Sequence, residues 1–166
     1  MRPWRTGLLL AVILALLISG PAWAARPGLL LSLPGQRGAA VGAVPLAACP
    51  PSPNCVSSRA SDDAHRITPL VYQGSDENAW RTLRQVVAAQ DRADLITAEA
   101  DYLYAEFTSR LLGFVDDVEF RRVPGQSRIE VRSASRLGES DLGVNRERVE
   151  QIRRQFQSRL HLGAAA

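Results

Sequence analysis

Two stretches of this chain alternate apolar and charged residues, with a turn signal between them. Residues Phe114 to Arg122 read F-V-D-D-V-E-F-R-R, Arg128 to Ser135 read R-I-E-V-R-S-A-S, and Pro124-Gly125 lies between. Period-two alternation on both sides of a Pro-Gly pair predicts two antiparallel strands. Strand parity then sorts the side chains. Phe114, Val118 and Phe120 share a face with Asp116, so Asp116 is expected on the apolar side, where a carboxylate needs a partner. Asp117, Glu119 and Arg121 take the other face. On the second strand Ile129 and Val131 point inward, and Glu130 and Arg132 outward.

Helix signals flank this pair. Ser75 can cap a helix, Asp76 and Glu77 suit its positive end, and Trp80, Leu83 and Val87 recur on one face. From Leu95 to Ser109 the pattern turns to strand. Leu103, Ala105 and Phe107 oppose Tyr102, Tyr104 and Glu106, and either one long strand or a hairpin at Asp101 fits. Asn145 can cap a last helix with the stripe Val149, Ile152, Phe156 and Leu160. The predicted fold is α+β: a two-layer sandwich, with an antiparallel sheet of three to four strands and two helices on one face.

The N-terminus has another character. Met1 to Arg5 is basic, Gly7 to Ile18 is apolar after its glycine, and Ala22-Trp23-Ala24 follows Pro21 as an A-x-A site. This layout predicts a signal peptide over residues 1–24, or an uncleaved anchor. Residues 25–48, rich in Gly, Pro and Ala, read as an arm or linker, and the domain is expected over 49–162. Leu46-Ala47-Ala48-Cys49 has the form of a lipoprotein box, but it stands too far behind the apolar run to serve as one. The expected location is therefore extracytoplasmic, in a periplasm, soluble after cleavage or held at the membrane by the N-terminus. Cys49 and Cys55, six positions apart in an exported chain, are most simply a disulfide. Metal ligation or a redox pair are the alternatives.

All 20 basic residues are Arg, and the formal charge is +3. Loss of Arg2 and Arg5 with a leader would leave the signs nearly balanced. Acids and bases also alternate along the same segments, so no nucleic-acid partner is expected.

The densest polar stretch runs from Arg132 to Arg146. It brings Arg132, Ser133, Ser135, Arg136, Asp141, Asn145 and Arg146 together around Gly138 and Gly143, just after the strand with Asp116 and Asp117. Ending at a helix N-terminus, it could bind a small anionic ligand through free N–H groups and arginine forks. It could equally be a closed Arg–Asp network. Asp116 is expected to accept from Arg136, Arg146 or backbone N–H groups of the Gly138–Gly143 loop. The outward face carries Tyr102, Tyr104, Glu106, Glu119, Arg121 and Glu130. It reads as charge pairing on a solvated sheet face rather than a concave site. Asp62, Asp63 and His65 could contribute to a metal site, but read better as loop-capping groups.

Four motifs occur together: C-P-P-S-P-N-C-V-S-S from Cys49, A-H-R-I-T-P from Ala64, G-F-V-D-D-V-E-F from Gly113 and R-S-A-S-R-L-G-E-S-D-L-G-V-N-R from Arg132. Together they resemble the bacterial and plastid family called Domain of Unknown Function 1499, over roughly Cys49 to Leu160. That resemblance implies a domain boundary at Cys49 and brings no established activity. No nucleophile elbow, phosphate loop, zinc-protease helix or dinucleotide fingerprint is present, and no cofactor is expected. The expected function is a non-catalytic extracytoplasmic binding or envelope-associated domain. The alternative is an extracytoplasmic hydrolase using Asp116 or Asp117 with the arginine cluster.

Overall fold

In a computed structural model, residues 41–164 are described. The expected leader (1–24) and residues 25–40 of the expected arm lie outside them. The elements are β1 (Cys55–Ser57), β2 (Leu70–Val71), α1 (Asp76–Ala88), β3 (Ala93–Ala98), β4 (Tyr102–Thr108), β5 (Val115–Arg122), β6 (Arg128–Ser135) and α2 (Val144–Ala164).

The sheet has six strands in the order β1-β6-β5-β4-β3, with β2 also pairing β6, and its ladders are antiparallel. This corrects the expected three to four strands. β1 and β2 have three and two residues, too few to show a period. They exist because β6 offers both a free edge. The stretch from Leu95 to Ser109, open between one long strand and a hairpin, is the hairpin: β3 is a separate strand that starts earlier, at Ala93, and pairs with β4 across a turn around Asp101.

α1 begins where Ser75 accepts from the Asn78 N–H, and it buries Trp80, Leu83 and Val87. In α2, Val149, Ile152 and Phe156 are fully buried, and Leu160 packs beside them. Both helices share one core with Leu103, Ala105, Phe107, Val118, Phe120, Ile129 and Val131 from the inner face of the sheet. Hydrophobic burial on this side supplies most of the folding drive.

The outer face departs from expectation. Tyr102, Tyr104, Asp117, Glu119, Glu130 and Arg132 are all buried there. Val41 and Leu46, expected in a loose arm, pack against Tyr102 and Tyr104. The Gly42 N–H donates to Glu119 Oε1 at 2.8 Å. The sheet is thus covered on both sides, and its outer layer is built from ionic and phenolic groups.

Candidate functional site

Asp116 and Asp117 sit side by side in the middle of the sheet and open onto different networks. On the inner side, Asp116 accepts from Arg148 Nη2 at 2.5 Å. The same guanidinium donates through Nη1 to Asn145 Oδ1 at 2.7 Å and Ser133 Oγ at 3.2 Å, and lies 4.8 Å from the Phe107 ring centre. Asn145 in turn donates to Ser135 Oγ at 3.0 Å and to the Asn54 carbonyl at 3.1 Å. The parity assigned to Asp116 holds, but its partner is neither Arg136 nor Arg146. Arg148 was legible in the sequence after all. Asn145, Arg148, Val149 and Ile152 follow the i, i+3, i+4, i+7 spacing of one helix face, so the apolar stripe of α2 carries its own polar head.

On the outer side, Arg136 grips Asp117 through Nε at 3.0 and 3.1 Å and through Nη2 at 2.7 Å. Its Nη2 also donates to Tyr104 Oη at 2.8 Å and Glu106 Oε1 at 2.5 Å. Burial works against this charge, but the hydrogen bonds to Asp117 and Glu106 outweigh it and hold the guanidinium above its ordinary range. Burial, then the hydrogen bonds to Asp117 and Glu106, raise the Tyr104 phenol well above its usual value. Beside this cluster, Tyr102 Oη donates to Glu119 Oε1 at 2.8 Å. Burial and that bond raise the Tyr102 phenol likewise. Arg132 reaches Glu119 Oε2 at 3.4 Å, while its buried Nε has no partner among the described residues. Cross-strand charge pairing on this face was expected; its withdrawal from water was not.

The remaining residues of the polar stretch serve the entry to α2. The Asp141 carboxylate accepts from the N–H groups of Gly143 at 3.0 Å and Asn145 at 2.7 Å. Asp141, not Asn145, therefore caps this helix, and those donors are not open to an anion. Gly143 is left-handed at φ +84°, which lets the loop turn into the helix. Arg146 faces away from the network and donates to the carbonyls of Arg66 at 2.8 Å and Ala64 at 2.9 Å. Two turns further on, Arg153 holds the carbonyls of Pro69 and Thr68, and one turn beyond it Gln157 holds that of Val71.

Cys49 and Cys55 form the expected disulfide, with Cα atoms 5.7 Å apart. Asp62 bonds the ring of His65 at 2.7 Å, and Asp63 pairs with Arg66. Among the described residues no three His, Cys, Asp or Glu side chains gather as a metal site.

The open space lies beside these networks. A cleft of about 520 Å³ runs between α2, the turn after α1 and the end of β4. Gln90, Gln151 and Gln155 line it, together with Arg92, Arg110, Arg148, Asp91 and Glu147. Gln90 and Gln155 bond each other at 2.6 Å. No sequence pattern announces this cleft, because its walls come from three separate segments.

Residues 45–156 match the family described as Protein of unknown function (DUF1499), beginning four residues before the boundary expected at Cys49. That start takes in Leu46, which covers the outer face. No curated protein and no solved structure matches the chain. With most of its length inside that family's pattern, the chain belongs to the DUF1499 family.

Proposed function

We propose that this chain is an exported, non-catalytic domain of the cell envelope. In this reading its arginine–aspartate network is a scaffold, and its binding surface is the neighbouring cleft. The observation that carries the reading is saturation. Asp116, Asp117 and Glu119 each meet an arginine at ion-pair distance, and Asp141 is spent on the helix end. Groups committed to one another in this way hold geometry, and they have little capacity left for a ligand. The same saturation disfavours a hydrolase built on Asp116 or Asp117. The two carboxylates point to opposite faces, and each is already paired. Export rests on the leader-like N-terminus and on the disulfide, which forms and persists in oxidising compartments.

Two measurements test this. Cell fractionation with N-terminal sequencing should place the protein outside the cytoplasm; recovery from the cytoplasm with intact thiols would overturn export. A thermal-shift screen against soluble envelope fragments should find one that stabilises the protein and loses its effect in Arg92→Ala and Gln151→Ala. Stabilisation that survives both substitutions would remove the cleft from the proposal.

A further inference from the structure

One end of the sheet carries an unusual concentration of exposed apolar side chains. The β4–β5 and β6–α2 connections leave neighbouring strand ends, since Thr108 pairs with Val115 and Asp116 with Ser135. Leu111 is 83% and Leu112 56% exposed in the first loop; Leu142 is 94% exposed in the second. Folding alone does not account for leucines at such tips, where they touch water and little else. The backbone adds a second, independent sign. Among the described residues only Arg92 and Leu142 are left-handed without being glycine, at φ 56° and 54°. Both lie at this end. A branched side chain in that conformation carries strain, and at Leu142, 94% exposed, no burial among the described residues offsets it.

These tips are continuous with the cleft. Arg110, which lines it, precedes Leu111, and Val144, which lines it, follows Leu142 by two residues. The lining is charge-balanced: it holds Arg92 and Arg110 with Asp91 and Glu147, and Arg148 is neutralised by Asp116. A balanced polar cleft beneath protruding leucines complements a molecule with one charge of each sign above a hydrocarbon tail. We infer that this end of the domain docks on a lipid bilayer, with the leucine tips entering the interface and the cleft taking a zwitterionic phospholipid headgroup. The inference rests on the export reading only in that an exported domain meets an envelope membrane.

The full chain, as isolated, should be added to vesicles of zwitterionic phospholipid whose acyl chains carry bromine. Tryptophan is placed at one end of the sheet by Leu142→Trp and at the other by Gln126→Trp. The unsubstituted protein gives the background of Trp4, Trp23 and Trp80. Leu142→Trp should gain a quenched component and Gln126→Trp should not, even if the N-terminus also holds the chain to the vesicle. Equal quenching of the two, or none at either, would overturn the proposal. The variant Leu111→Ser/Leu112→Ser/Leu142→Gly should stay folded, because glycine suits that backbone and serine suits an exposed loop. In protein with its leader removed, it should lower vesicle partitioning by about tenfold or more. Unchanged partitioning, or dissociation of a dimer without any effect on vesicles, would show instead that these leucines do not meet lipid. Because the assay uses purified protein, failure here is separate from failure of export in fractionation.

Discussion

Asp116 and Asp117 are consecutive residues of one strand, yet they belong to two kinds of interior. Asp116 lies at the margin of an apolar core, where one arginine from α2 reaches across to it. Asp117 lies within a layer made of charges and phenols, where Arg136, Tyr104 and Glu106 surround it. The first layer can tolerate a polar group only near its edge. The second needs all its members, since each buried charge depends on its neighbours. A carboxylate is thus no guide to exposure here; its company is.

The largest effect that could break this contrast is expected in alkali. Tyr72 is pushed up to about 12 by burial and its bond to Asp76, and Tyr102 and Tyr104, both in the outer layer, are raised further. A raised folded value contributes stability that is complete below the unfolded value near 10. It is lost as pH rises through the folded value, at about 1.4 kcal/mol per unit for each tyrosine. Stability should therefore fall from about pH 10 upward, and tyrosinate absorbance should appear together with unfolding. Ionisation near pH 10 in folded protein would mean that the outer layer is wet.

Asp117→Ala comes next, at about 3–5 kcal/mol in urea melts, because it leaves the buried Arg136 undercompensated. Strand parity alone would have made this the mild variant of the two. Asp116→Ala should cost less, about 2–3 kcal/mol, since Arg148 keeps Ser133, Asn145 and Phe107 and also borders the open cleft. If Asp116→Ala proved the more costly, the layers would have to exchange their descriptions. The smallest effect should be Leu142→Gly, within about 0.5 kcal/mol of the parent, as relief of left-handed strain offsets the extra freedom of the unfolded chain. A larger loss would mean that Leu142 packs within the fold.

Much of this was readable in the sequence, and the omissions have physical causes. Alternation located β4, β5 and β6 and placed Asp116 inward, because side chains on a strand must alternate. It could not tell a solvated polar face from a buried one, since Tyr104, Glu119 and Arg132 read the same in either. What decided between them was Val41 and Leu46, in a segment with no period of its own. β1 and β2 were missed because they are pairing partners of β6 rather than patterns. The cap of α2 was misplaced because Asp141 and Asn145 both suit the role, and only the path of the loop chooses between them. For the site, the polar stretch was read as one group. Yet the stretch divides among an inner network, an outer network and the clasp made by Arg146.

That clasp has a consequence for how the chain would be cut. Arg146, Arg153 and Gln157 hold residues 64–71 by their carbonyl oxygens, not by their side chains. A protease must draw several residues of free, extended main chain into its own groove, and here much of that main chain is already engaged. This segment has little regular structure and much exposure, but it should be a poor substrate. The leucine-bearing loops at the end of the sheet would be nicked first, so the fragments from brief digestion would part the chain near the surface assigned to lipid and leave the clasped segment whole.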